Sequence, residues 1–240
     1  MTDDKPTYDS EGRPVYSIPF NDFFQCALSV DCVIFGFEGD ELKVLLIKRG
    51  AEPFKGDWAL PGDLMYPDED LRQAATRVLQ DLTGIENLFM EQSATFSNAD
   101  RHPQGRVVTV SYYALVNIEL YKPKAASWAS HLAWHGLNDV PELAFDHKDI
   151  LHRAMGSLRK TVSTRPVGFN LLPEKFTLKD VQKLYELILG RTFDKANFRK
   201  KLLSSKFLQP LNEMERDVAH RPAQLYRLSE EVDESSLLTV

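Results

Sequence analysis

Residues 61–85 read PGDLMYPDEDLRQAATRVLQDLTGI. From Leu71 onward the apolar residues Leu71, Ala74, Ala75, Val78, Leu79 and Leu82 recur at helical spacing and make one face of an amphipathic helix. Gly84 stands where a left-handed residue would end that helix. The preceding loop carries Pro61, Gly62 and Pro67. Asp68 and Asp70 are both suited to cap the helix and to meet the positive end of its dipole.

With Glu69, Arg77, Leu79, Gly84 and Ile85 in register, this loop–helix resembles the Nudix box. That signature belongs to hydrolases that cut nucleoside diphosphates linked to another group. Its pattern is Gly, five residues, Glu, seven residues, Arg-Glu, apolar, any, Glu-Glu, any, Gly, apolar. Here Asp63 stands at the first Gly, Val78 at the Glu after Arg, and Asp81-Leu82 at the Glu pair. Diphosphate hydrolysis needs Mg²⁺ or Mn²⁺ held by several converging oxygen ligands. Val78 and Leu82 bring none, and Asp81 with Glu69 makes a poor cage. The expectation is a Nudix fold kept for binding, with no catalytic residue, bound metal or cofactor.

Around the box the chain alternates in character. Segments 26–37 (CALSVDCVIFGF) and 42–48 (LKVLLIK) flank the turn at 38–40 and read as a buried β-hairpin. Segments 87–96 and 107–116 (VVTVSYYALV) read as further strands, 122–127 as a linker, and 132–134 as a short strand. Asp146 is expected to cap a helix running to about residue 160. Hairpins, one long helix, more strands and a closing helix agree with the α/β/α sandwich that the Nudix resemblance implies. The Asp146-His147 pair reads as a helix start rather than a metal site or catalytic dyad.

The chain is 240 residues long, enough for one large domain or two small ones, and its net charge of −6 gives no global case for nucleic acid. The distribution says more. Residues 165–228 hold 13 Lys and Arg against 7 Asp and Glu, whereas residues 1–164 hold 16 against 24. A basic module follows an acidic one. Cys26 and Cys32 are the only cysteines. On one strand they would lie about 20 Å apart, too far to bond. There is no zinc spacing, no signal-peptide run and no apolar stretch of about 20 residues, so a cytoplasmic protein with no membrane partner is expected.

Beyond residue 170 the pattern changes. Thr177 is placed to cap a helix over 178–189, with Asp180 at the third position as in a capping box. Gly190 ends it, a short turn follows, and Asp194 caps a second helix to about residue 205. Strands at 207–211 and 223–228 with a polar loop between them complete the order helix, turn, helix, hairpin. This is the winged helix-turn-helix order. The second helix carries Lys195, Asn197, Arg199, Lys200 and Lys201, with Lys206 just beyond. Ala196, Phe198, Leu202 and Leu203 are expected to pack it. Such a helix can lie in a major groove with its cations on phosphates and Asn197 or Arg199 on base edges. Arg216, His220 and Arg221 lie where a wing would touch the backbone, and Thr177 joins them as a candidate DNA contact.

The tandem resembles the Nudix-related transcriptional regulators, a degenerate Nudix domain followed by a winged helix. The stretch NLLPEKFTLKDVQKLYELILGRTFDKANFRKKLL and the run AFDH at 144–147 carry the resemblance, and RVLQDLTG looks most like the Bacteroidetes branch that responds to arabinose. The implied organisation is an α+β chain: arm 1–21, Nudix-like effector-sensing domain 22–160, winged helix-turn-helix 161–228, acidic tail 229–240. The implied function is a ligand-responsive transcriptional regulator that binds a double-stranded DNA operator: a homodimeric repressor of sugar-utilisation genes, released by a small sugar-type effector such as arabinose. ADP-ribose as effector, and an active pyrophosphohydrolase with an accessory winged helix, remain as alternatives. Candidate effector contacts, by their place beside the box, are Asp31, Arg49, Trp58, Met65, Asp100, Arg101, Arg106 and Tyr112.

Overall fold

The structure, a computed structural model, describes residues 7–8, 14–15, 26–38, 40–85, 88–121, 123–125, 127, 129–205, 207–216 and 221–232. Most of the N-terminal arm, Lys206, His220 and the end of the acidic tail lie outside the described residues. Two short strands, β1 (Thr7–Tyr8) and β2 (Pro14–Val15), pair with each other.

The main sheet is built on the hairpin β3 (Ala27–Glu38) and β4 (Glu41–Arg49), extended by β5 (Trp58–Ala59) and β6 (Gly62–Leu64). Helix α1 (Leu71–Thr83) follows, then β7 (Phe89–Phe96), β8 (Val107–Asn117) and β9 (Ala129–Gly136). The strand order is β5-β4-β3-β8-β7, with β6 paired to β3 and β9 to β4. Strands β3 and β8 run parallel over their whole length, from Ala27 opposite Val107 to Phe37 opposite Asn117.

Alternation along β3 divides the core, because successive side chains point to opposite faces. Val30, Cys32 and Ile34 join Leu45, Ile47, Tyr112 and Ala114 under α1. Val33, Phe35 and Phe37 join Val44, Leu46, Tyr113 and Leu115 on the other face. Helix α2 (His147–Val162) covers that second face through Ile150, Leu151, Ala154 and Leu158. This is the α/β/α sandwich expected from the sequence.

The segment between α2 and the winged helix-turn-helix is part of the core. A 3-10 helix (Pro166–Leu171) buries Val167, Phe169 and Leu171, and Asn117 Nδ2 donates to the Leu172 carbonyl at 2.9 Å. Helix α3 (Leu178–Leu189) and helix α4 (Lys195–Ser204) precede the hairpin β10 (Leu208–Met214) and β11 (Gln224–Leu228). Val181, Leu184, Tyr185 and Ile188 of α3 belong to the same apolar cluster as Phe35 and Leu46 of the sheet. The two modules therefore share one core. Among the described residues no helix is long and apolar enough to cross a membrane.

Candidate ligand pocket and nucleic-acid interface

Helix α1 forms as its sequence dictates. Asp70 accepts from the Gln73 amide while Gln73 reaches back to the Asp70 amide, and Gly84 closes the helix at φ 70°. The helix buries the residues at the departures from the Nudix pattern: Val78 is 0% exposed and Leu82 1%. Glu69 is gripped by Arg77, whose Nε and Nη2 reach its two oxygens at 2.9 and 2.6 Å. Arg77 also donates to the Leu64 carbonyl and lies 3.9 Å from the Tyr66 ring centroid. The Arg77 hydrogen bond holds the Glu69 carboxyl below the usual carboxylate range. Asp81 is half exposed, 3.8 Å from Arg77. Among the described residues no three His, Cys, Asp or Glu side chains converge as metal ligands.

A cavity of about 880 Å³ opens between the start of β3, β6, the 49–53 loop, the 101–107 loop and the residues that lead into α2. Its floor is charged and buried. Asp31 is 6% exposed, with Arg101 at 3.8 Å and His147 Nε2 at 3.7 Å. Burial pushes the Asp31 carboxyl up to about 7, against the pull of Arg101. Its Oδ1 lies where a Cβ on Gly62 would stand, so only glycine fits at 62. His147 Nδ1 accepts the Leu60 amide proton at 2.9 Å, which leaves the ring proton on Nε2, facing Asp31. Burial pushes His147 down to about 3, so it is neutral near pH 7.

Arg101 is the hub of this floor. Its Nε and Nη2 make a two-pronged pair with Asp146 at 2.9 and 2.5 Å, and Nη1 donates to Thr109. One rim is aromatic. Phe145 stacks on His102 at 5.1 Å, meets Phe54 edge-on at 4.8 Å, and lies 4.9 Å under the Arg49 guanidinium. Phe145 has φ 57°, a left-handed backbone that a bulky residue adopts only under the hold of its surroundings. Arg106 also lines the cavity and donates to the Ser97 carbonyl.

Of the residues expected here from sequence, Asp31, Arg49, Arg101 and Arg106 line the cavity. Trp58, Met65, Asp100 and Tyr112 do not. Trp58 packs between His131 and His135 against the core. Met65 leans on the α1 side of the core, and Tyr112 is buried within it. Both were placed by proximity to the box, but strand alternation turns Tyr112 to the α1 face. His102, Phe145 and His147 were missed. The signal was the AFDH run, in which an aromatic and an acidic residue lead into the closing helix and His147 opens it. Asp146 was expected to cap α2; its side chain makes no cap hydrogen bond, because Arg101 holds it.

In the C-terminal module Thr177 and Asp180 form the expected capping box, and Gly190 ends α3 at φ 65°. Thr177 is 3% exposed and hydrogen-bonded to Asp180, so its side chain caps the helix and is closed to a DNA contact. On α4, Lys195, Asn197, Arg199, Lys200 and Lys201 are exposed. Phe198 and Leu202 are buried, but Ala196 and Leu203 are exposed, Leu203 by 48%. The packing face is thus narrower than expected, since only one stripe of a short helix can meet α3. Arg216 and Arg221 are exposed on either side of the hairpin loop.

Comparison with known proteins gives both modules a relative. Residues 27–154 match the NUDIX domain family and residues 168–228 match the NrtR DNA-binding winged helix domain. The chain is 35% identical to the ADPR responsive transcriptional repressor NtrR of Acinetobacter baylyi over 213 residues, 87% of this chain and 84% of that protein. It superposes on the crystal structure of Shewanella oneidensis NrtR complexed with a 27mer DNA at TM-score 0.75 and 33% identity, covering 84% of this chain and 93% of that one. The NUDIX domain of the same Shewanella protein complexed with ADP ribose matches at TM-score 0.51 and 36% identity, over 55% of this chain and 87% of that one.

Proposed function

The chain belongs to the NrtR family of Nudix-related regulators, and on that basis we propose that it is a transcriptional repressor whose Nudix domain senses an ADP-ribose-type nucleotide. The observation that carries the effector class is the make-up of the cavity. Arg49, Arg101 and Arg106 supply cations for a diphosphate, and Phe145 and His102 supply flat faces for a base. Asp31 and His147 supply acceptors and a donor for sugar hydroxyls. A volume of about 880 Å³ suits a ligand of drug or nucleotide size, and a lone pentose would leave most of it empty. The arabinose effector expected from sequence is therefore set aside: the relatives that carry an effector in their names carry ADP-ribose.

The reading includes DNA recognition by α4, with Arg216 and Arg221 on the wing, and a homodimer that spaces two recognition helices by one turn of DNA, about 34 Å. It also includes a domain that binds nucleotide without cleaving it. Buried Val78 and Leu82, and Glu69 committed to Arg77, do not fit the oxygen cage that Mg²⁺ or Mn²⁺ requires.

The test is DNA affinity under effector. A duplex selected by the protein from random-sequence DNA is titrated in the presence of ADP-ribose, AMP, ribose 5-phosphate or arabinose. ADP-ribose is expected to weaken binding by a factor in the range of about 5 to 150. An effect from arabinose and none from ADP-ribose would overturn the proposal.

A further inference from the structure

Two adjacent residues lead into α2, and both are held by two adjacent residues of the pocket loop. Arg101 grips Asp146 with two charge-assisted hydrogen bonds, and His102 stacks on Phe145. Phe145 sits in a left-handed conformation, which persists only while its surroundings impose it. Asp146, at the N-cap position, leaves the helix amides uncapped by its side chain. This end of the helix is thus held by the loop rather than by its own capping.

The far end of α2 reaches the DNA-binding module. Sixteen residues of helix span about 24 Å. Near its end Arg159 Nε donates to the Ile188 carbonyl of α3 at 2.8 Å. Thr161 hydrogen-bonds Tyr113 of β8. Beyond the helix, Arg165 pairs with Glu91 of β7. Ile150, Leu158, Leu184 and Ile188 lie in one apolar cluster. A displacement at the pocket end of such a packed rod is carried to α3, because close-packed elements shift as units.

We propose that Arg101 and Asp146 form an effector-responsive latch: a ligand that recruits the Arg101 guanidinium weakens its hold on Asp146, frees the elbow at 145–146, and resets α2 and the winged helix. Asp146 is then a positioning residue that acts through Arg101 and α2. The proposal rests on the reading of the cavity as the effector site.

The full-length chain tests it with three variants. Asp146→Asn keeps the shape but loses the charged pair, and asparagine is a good N-cap, so the fold is expected to hold. Asp146→Glu restores a carboxylate. Asp149→Asn removes an exposed charge from the same turn and serves as control. Without any ligand, Asp146→Asn is expected to lower DNA affinity by roughly 5-fold or more. It is expected to bind ADP-ribose more tightly than the parent chain, since the ligand no longer competes with the Asp146 charge for Arg101, and to lose the further response of DNA binding to ADP-ribose. Asp146→Glu recovers part of the DNA affinity, and Asp149→Asn behaves as the parent chain. Ligand-free DNA affinity of Asp146→Asn equal to that of Asp149→Asn would overturn the latch, whether or not ADP-ribose acts. Parallel loss of DNA binding, ADP-ribose binding and melting temperature, with no rescue by Asp146→Glu, would overturn it too. A parent chain indifferent to ADP-ribose would overturn the effector assignment instead, and the ligand-free comparison would still decide the latch.

Discussion

Asp31 lies between Arg101 and His147 at the bottom of the cavity, and burial lifts its carboxyl from an ordinary 3.8 to about 7. A carboxyl whose folded pKa is raised favours the fold fully below its unfolded value and loses that contribution as pH rises through the folded one. Asp31→Asn imitates the protonated form at every pH. Its stability relative to the parent is therefore expected to improve between about pH 4 and 7 and to level off above, as read from denaturation midpoints at pH 5 and pH 8. An unchanged difference would show that Asp31 is ionised throughout. Tyr185 offers a second residue-scale test. Its hydroxyl is buried in α3 with no hydrogen-bond partner among the described residues, so Tyr185→Phe removes an uncompensated polar group. Stability is expected to stay level or rise by about 1 kcal/mol, and a loss of that size would reveal a partner. Sequence alone did not expose either cost: it names Asp31 as a candidate effector contact and leaves Tyr185 on an amphipathic helix, and the cost of burying each depends on what lies across the fold.

At the scale of elements, the helices and strands were legible because their signals are local. Periodicity and caps placed α1, α3 and α4, and Gly84 and Gly190 end two of them as expected. The pocket was half legible. Arg101 and Asp146 lie 45 positions apart, and no local pattern announces that a loop guanidinium will take a helix cap away. Helix α1 also carries a prediction about hydrolysis, which we propose this domain lacks. Val78 is wholly enclosed, so Val78→Glu places a carboxylate among apolar side chains. It is expected to destabilise the fold by about 3 kcal/mol or more and to yield no metal-dependent hydrolysis of ADP-ribose; a stable, active Val78→Glu variant would contradict this account of the helix. For α4, Lys200→Ala is expected to weaken all DNA sequences alike and flatten the salt dependence by about one phosphate contact. Asn197→Ala is expected to relax base preference. DNA binding that survives alanine at Lys195, Arg199 and Lys200 together would remove α4 as the reader.

For the whole molecule, the consequence of a shared core is that sensing and reading are not separable by a loose linker. The sheet, α2, the 3-10 helix and α3 form one apolar cluster, and Lys183 of α3 pairs with Asp40 in the β3–β4 turn. On the proposed reading an effector acts by preferring one packing of the two modules over another, and the difference in its affinity for the two packings sets the size of the response. Thermodynamic reciprocity then makes the central claim measurable from the ligand's side. Calorimetric titration of ADP-ribose into the protein, alone and saturated with its selected DNA duplex, is expected to give weaker binding on DNA. The factor should equal the loss of DNA affinity that ADP-ribose causes. Equal ADP-ribose affinities with and without DNA would contradict the claim that this domain senses the nucleotide on behalf of the DNA-binding module.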